Sequence, residues 1–265
     1  MYCSLNGALV PQATATIPVS DRGFLYGETL FETMRAECAA IALWDAHMAR
    51  LRTSADRLGF VVPYADEELL AQCLGVVDAN ALPAAVVRLT LTRGAPPVLL
   101  VTAQAPSPDV ARKAAEGYRI ATSAWERPSH RAWPLYAKTG NYLNSVLALR
   151  SVGGECDEAI LFDDEGFLTE GSFSNIFLVR DGALWTPALP RCLPGVGRAR
   201  VIACAREAGL DVIEKDIDRA ELALAEELFL TNAVRGIMPV RVFDGAVLPC
   251  PGAVTAALAA RAGAA

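Results

Sequence analysis

Lys138, in Tyr136-Ala-Lys-Thr-Gly-Asn-Tyr-Leu-Asn144, and Glu170, in Leu168-Thr-Glu-Gly-Ser-Phe-Ser-Asn-Ile-Phe177, are the two residues whose types and settings point most directly to chemistry. A lysine amine becomes a nucleophile or a base when burial beside apolar groups disfavours its protonated form, and Leu135, Tyr136 and Leu143 flank this one. Lysine is scarce here, at positions 113, 138 and 215 only, which sets Lys138 apart from an ordinary solvated charge. A carboxylate in a glycine-bounded turn ahead of an apolar strand can hold the protonated nitrogen of a pyridine ring and so make that ring a stronger electron sink. Either residue alone also reads as a surface charge. Together they suit an aldehyde cofactor with a basic ring nitrogen.

Three further segments could serve such a cofactor. Leu193-Pro-Gly-Val-Gly-Arg198 opens an expected helix, and a helix N-terminus offers backbone N–H groups and a positive dipole end to a phosphate. Arg50, three residues after His47 on another expected helix, would add a bidentate cation. Phe229-Leu-Thr-Asn-Ala-Val-Arg-Gly-Ile-Met-Pro239 runs from an apolar strand into small and polar residues whose amides can face an anion, or form a plain exit loop. Arg88 stands within the apolar run Val86-Val-Arg-Leu-Thr90, where a guanidinium seeks an anion, either a substrate carboxylate or a structural one.

The elements that must position these residues follow from periodicity and punctuation. Residues 1–10 are expected to form a short strand ending near the Asn6-Gly7 turn signal, with strand–turn–strand over 29–44 and a helix over 46–59 capped by Asp45 and stopped by Gly59. A second helix fits 66–79, and β-rich runs fit Val86–Thr92 and Val98–Ala103 across Arg93-Gly-Ala-Pro-Pro97. Beyond Gln104–Gly117, strands fit 118–123, 158–163, 174–180 and 227–231, and helices fit 140–152, 196–208, 218–224 and 252–262. Strands and helices cluster without regular alternation, which predicts an α+β fold. The division expected is a smaller N-terminal domain over 1–106, a linker over 107–117, and a larger domain over 118–265 that carries Lys138.

Composition narrows the functional classes. With 24 basic against 30 acidic residues and no basic run, nucleic acid is not an expected partner. No apolar stretch reaches membrane-spanning length and the N-terminus lacks a signal-peptide pattern, so a cytoplasmic protein without membrane association is expected. Seven scattered cysteines without a C-x-x-C pair imply reduced thiols, with Cys192 the one nearest a motif, and two histidines leave no expected metal site.

From Asp21-Arg-Gly-Phe-Leu-Tyr-Gly-Glu-Thr-Leu-Phe-Glu-Thr33 to Pro239 these segments resemble the fold-type IV family of pyridoxal-phosphate enzymes, in the family's order. The resemblance implies a two-domain α+β fold with the cofactor in the interdomain cleft, commonly as a homodimer. It implies that pyridoxal 5'-phosphate is the cofactor, that Lys138 is the Schiff-base and catalytic lysine, and that Glu170 partners the pyridine nitrogen. By the same resemblance Arg50, Val196, Gly197, Asn232 and Ala233 meet the phosphate, Leu193 packs on the ring, and Tyr142 lies near its phenolic oxygen, although its spacing from the lysine differs by one from that of aminotransferases. Tyr26 and Phe31 resemble residues that line the substrate side, with core packing as the alternative. Gly197 and Ala233 replace hydroxyl residues of many relatives, which lowers the expected cofactor affinity.

Within this family the resemblance is nearest the aminodeoxychorismate lyase-like group. It rests on Phe173-Ser-Asn175, Thr231–Val240 and Lys138-x-x-Asn-Tyr-Leu-Asn144. The leading expectation is therefore a lyase that converts 4-amino-4-deoxychorismate to 4-aminobenzoate and pyruvate. The alternative is an aminotransferase of branched-chain, D-amino-acid or amine type. Either takes a small amino substrate. A non-catalytic relative that has lost the cofactor is a third reading, opposed by the presence of Lys138, Glu170 and Arg50.

Overall fold

Strands β3 (Thr29–Glu37) and β5 (Ala84–Thr92) pair along their whole lengths, from Thr29 opposite Thr92 to Glu37 opposite Ala84, and this pairing is the spine of the first of two compact units. The computed structural model describes residues 1–132 and 134–262. In chain order the first unit contains β1 (Tyr2–Leu5), β2 (Ala8–Pro11), α1 (Arg22–Tyr26), β3, β4 (Ala40–Ile41), α2 (Trp44–Leu58), α3 (Asp66–Ala79), β5 and β6 (Leu99–Gln104). Its sheet runs β2-β1-β6-β5-β3-β4. Side chains alternate across the pleat. Leu30, Met34, Val87, Leu89 and Leu91 are buried together with Met48 and Leu51 of α2 and Leu69 and Cys73 of α3, while Thr33, Thr90 and Thr102 remain partly open.

Local chemistry accounts for most of these boundaries. The short strand expected to end near Asn6-Gly7 is β1, and it is the first arm of a hairpin, because Asn6 and Gly7 both take positive φ and turn β1 onto β2. Helix α2 starts at Trp44, so Asp45 lies in its first turn and Leu43 occupies the cap; it stops at Gly59, which is left-handed at φ 69°. Helix α3 spans the expected residues, with acids at its positive end and Glu68 accepting from the Ala65 amide at 2.8 Å.

The second unit contains α4 (Asp109–Glu116), β7 (Tyr118–Thr122), α5 (Leu143–Ser151), β8 (Glu158–Phe162), β9 (Leu168–Gly171), β10 (Asn175–Arg180), β11 (Ala183–Pro187), α6 (Val196–Glu207), β12 (Val212–Lys215), α7 (Arg219–Leu222), β13 (Glu227–Asn232), β14 (Gly236–Phe243), β15 (Ala246–Val247) and α8 (Ala253–Ala262). Its sheet runs β12-β11-β10-β13-β14-β7-β8-β9, with β15 beside β14. Strands β10 and β13 are covered on both faces. Ile176, Leu178, Leu228 and Leu230 enter one cluster, and Phe177, Val179 and Phe229 enter another with Val201, Ala205 and Leu258. Two covered faces explain why these strands read as unbroken apolar runs rather than alternating ones. Buried Glu227 accepts from the Val254 and Thr255 amides at 3.1 and 2.8 Å and so fixes the start of α8.

The mixed antiparallel and parallel pairing with clustered helices is an α+β architecture. Two details of the expected division differ from the structure. The stretch read as a linker holds α4, whose Ala-rich sequence is supported by Arg112 bonding to Asp109 and Glu116 at i−3 and i+4. Residues Ala137–Asn141 group with the first unit, so Lys138 does not belong to the second.

Candidate active site

Lys138 owes its place to backbone pairing across more than a hundred residues of sequence. The Phe31 amide donates to the Lys138 carbonyl at 3.0 Å, Leu30 bridges Thr139, and the Gly140 amide donates to the Thr29 carbonyl at 3.0 Å. The segment thus lies along the first half of β3. Lys138 Nζ stands 4.5 Å from the centre of the Phe31 ring. Arg88, diagonal to Phe31 in the β3–β5 register, lays its guanidinium 3.6 Å from the same centre. Phe31 is buried yet touches both cations, so core packing and site lining coincide in this one residue. Leu143, expected to help bury the lysine, is exposed. Tyr26 is 64% exposed, with the Arg22 guanidinium 4.9 Å above its ring.

On the helix-covered face of the same sheet, Arg50 of α2 donates from Nε and Nη2 to the two carboxylate oxygens of Glu32, at 2.8 and 2.6 Å. His47, one turn earlier, meets Glu32 Oε2 through Nδ1 at 2.7 Å. Burial alone would raise the Glu32 carboxyl; the Arg50 charge and the hydrogen bonds from His47 and Arg50 outweigh it and hold the group down at about 2. Sequence reading missed Glu32. The signal was present, as an acid in an apolar strand with a histidine and an arginine one helical turn apart downstream.

In the second unit Glu170 is buried within β9 rather than exposed in a turn. Its Oε1 pairs with Arg127 Nη2 at 2.6 Å, and its Oε2 accepts from the Leu193 amide at 3.0 Å and from Asn175 Nδ2 at 3.5 Å. Arg127 in turn donates to Ser145 Oγ at 3.2 Å. Nothing local in the chain flags Arg127, because a solvated arginine is the default reading. Asn175 Nδ2 also donates to the Leu193 carbonyl at 2.9 Å, so the loop entering α6 is tied to Glu170 twice.

Helix α6 begins at Val196 with Gly195 as its cap. A Cβ on Gly195 would meet Asn175 Oδ1 at 1.9 Å, and one on Gly197 would meet Thr231 Oγ1 at 3.0 Å and the Asn232 backbone carbon at 3.3 Å. The first turn of α6 therefore sits close against the end of β13, where Asn232 Oδ1 accepts from the Val234 and Arg235 amides at 3.0 and 2.8 Å. Ala233 lies inside that turn. Tyr142 stacks on Phe173 with ring centres 5.7 Å apart, and the Phe173 amide donates to buried Glu158. Cys192 is buried, its thiol pushed up to about 12 by burial first and by Glu170 next, which makes it an inert thiol.

Comparison with known proteins decides the family. The profile of the family described as amino-transferase class IV matches residues 29–243. The branched-chain-amino-acid aminotransferase of Pseudomonas aeruginosa is 32% identical over 257 residues, covering 91% of this chain and 84% of that protein. The chain belongs to the class IV aminotransferase family. These are fold-type IV pyridoxal-phosphate enzymes, and pyridoxal phosphate is the family's cofactor. Among solved structures, the branched-chain amino acid aminotransferase of Escherichia coli superimposes with a TM-score of 0.90 at 30% identity, over 97% of this chain and 91% of that one. A second branched-chain amino acid aminotransferase, from T.th. and solved with pyridoxamine 5'-phosphate, superimposes with a TM-score of 0.89 at 32% identity, over 98% of this chain and 92% of that one. The 4-amino-4-deoxychorismate lyase of Pseudomonas aeruginosa superimposes with a TM-score of 0.86 at 31% identity, over 98% of this chain and 97% of that one.

The residues fit the cofactor. The start of α6 supplies helix-terminal amides beside Gly195 and Gly197, which carry no side chain of their own, and Glu170 is a buried carboxylate already held by two donors besides Arg127. Among the described residues no cluster of His, Cys, Asp and Glu could hold a metal ion, and no helix is long and apolar enough to cross a membrane.

Proposed function

We propose that the protein is an aminotransferase that moves an amino group between a branched or other aliphatic amino acid and a keto acid. The observation that carries this reading is the placing of an amine and a guanidinium on one buried aromatic ring, Lys138 and Arg88 on Phe31, no more than about 8 Å apart. A substrate with a carboxylate close to its reacting carbon spans that distance. The extent of the match to branched-chain aminotransferases favours this reaction over the lyase that the motifs put first.

When bound, pyridoxal phosphate supplies an aldehyde that takes up the amino nitrogen and a ring that accepts the electron pair released at the substrate carbon. In this reading the Lys138 amine would hold that group through its aldehyde carbon and would move the proton at the substrate carbon that bears nitrogen. Glu170 would accept the N–H of the ring nitrogen, held in place by Arg127 and Asn175. Arg50, the first amides of α6 at Val196 and Gly197, and the turn at Asn232 and Ala233 would hold the phosphate. Leu193 would pack on the ring, Tyr142 would lie by its phenolic oxygen, and Arg88, with Phe31 and Tyr26, would bind the substrate carboxylate and side chain. A homodimer is the assembly expected of this reading, and light scattering would read its mass.

The lyase remains the second reading, supported by the lyase structure that superimposes over 98% of the chain. Purified protein is incubated with leucine, valine or D-alanine and 2-oxoglutarate or pyruvate, and separately with aminodeoxychorismate. Keto-acid-dependent amino transfer without 4-aminobenzoate supports the proposal; 4-aminobenzoate without amino transfer replaces it by the lyase.

A further inference from the structure

We propose that Thr90 is a positioning residue for substrate selection: its hydroxyl holds Arg88 against the Phe31 ring so that the guanidinium is preset for a carboxylate. The inference rests on the reading of Arg88 as carboxylate binder. Arg88 and Thr90 are two residues apart on β5 and therefore on one face of the sheet, and Arg88 Nε donates to Thr90 Oγ1 at 3.2 Å. Thr90 is also directly opposite Phe31 in the β3–β5 register, while Arg88 is opposite Thr33. The guanidinium of this exposed side chain thus meets a hydrogen-bond acceptor on its own strand and an aromatic face from the next. Arginine side chains carry considerable rotamer freedom, and a side chain ordered before binding does not have to be ordered by the substrate. That ordering acts on affinity for the carboxylate and not on proton transfer at Lys138.

The test uses the full-length protein loaded with pyridoxal phosphate, and 4-methylvaleric acid as a non-reacting aliphatic carboxylate. Thr90→Val keeps shape and β-propensity and removes the acceptor; Thr90→Ser keeps the acceptor; Arg88→Met removes the guanidinium. Losing one such hydrogen bond is expected to raise the Kd for the acid, and the KM for the keto-acid substrate, about fivefold to tenfold in Thr90→Val, with kcat and melting temperature unchanged. Thr90→Ser is expected to bind as the parent does, and Arg88→Met more weakly than Thr90→Val. If Thr90→Val binds the acid normally while Arg88→Met does not, the positioning role is wrong and the reading of Arg88 stands. If Arg88→Met also binds normally, both fall. A Thr90→Val protein that loses kcat or thermal stability without losing affinity has a structural threonine, and the inference is overturned.

Discussion

Arg127 Nη2 and Glu170 Oε1 face each other at 2.6 Å, although 43 positions separate them in the chain, and both side chains are mostly buried. The guanidinium fixes one carboxylate oxygen, while the Leu193 amide and Asn175 fix the other. An acid held from two sides keeps one orientation, and its charge is compensated away from water, which suits the role proposed for it at a pyridine nitrogen.

Replacing Glu170 with Gln removes the acceptor charge and leaves Arg127 without its counter-charge. Turnover should fall about 10²-fold or more, the scale of losing one preorganised electrostatic contact in a site. The smaller change, Arg127→Met, should leave Glu170 in place but less well aimed, with a loss between that of Glu170→Gln and none. Steady-state rates and the absorption spectrum of the bound cofactor measure both. Equal activity in Glu170→Gln and the parent would remove Glu170 from the mechanism.

For Lys138, the expected loss on substitution by Ala is about 10⁴-fold in turnover, since the same amine is assigned both attachment and proton transfer. Borohydride reduction of the parent, followed by peptide mapping, should place a reduced cofactor adduct on the peptide containing Lys138. An adduct elsewhere, or none, contradicts the assignment directly.

The Glu32 carboxyl, held at about 2 in the folded protein against an ordinary value near 4.5, ties stability to pH. A depressed acid stabilises the fold at pH above its unfolded value and loses that contribution as pH falls from about 4.5 toward 2, an effect of about 3 kcal/mol at most. Glu32→Gln should therefore be less stable than the parent at pH 7, with the gap closing as pH falls through that window. Urea unfolding at a series of pH values measures the gap. One that stays constant down to about pH 2.5 would show that Glu32 does not carry the dependence.

How much of this arrangement was readable in the chain depended on whether its cause was local. Helix α3 and the stop of α2 at Gly59 follow from residues within a turn of the boundary, and both were predictable. The double-faced strands β10 and β13 announced themselves as apolar runs. Strands β9 and β12 did not, because each is four residues long and Glu170 or Glu214 interrupts its apolar pattern. Two prolines near Gln104 suggested a linker, yet the charges at 109, 112 and 116 have helical spacing, and α4 forms there. The least readable feature was the companionship of the candidate residues. Lys138 reaches Phe31 through an isolated bridge to β3, and Arg127 reaches Glu170 from a segment without regular structure, so neither pairing leaves a periodic trace.

Gly195 offers the most exposed test of the proposed phosphate cradle, because its side is already occupied. A methyl group there would lie 1.9 Å from Asn175 Oδ1, a distance that no rotamer adjustment of the new Cβ can relieve, so Asn175 must move. Asn175 is the residue that ties the Leu193 carbonyl and Glu170 together through its amide nitrogen. Gly195→Ala should therefore weaken pyridoxal-phosphate binding about tenfold or more and disturb the Glu170 contact with it, at a stability cost of about 1–3 kcal/mol typical of overpacking. Gly153→Ala is the control, since no atom lies within 4 Å of its Cβ position, although its positive φ of 78° adds local strain of its own. Cofactor titration by fluorescence, alongside thermal unfolding of the apo and loaded proteins, separates affinity from stability. If Gly195→Ala loses stability as Gly153→Ala does but binds the cofactor like the parent, the start of α6 is not the phosphate site.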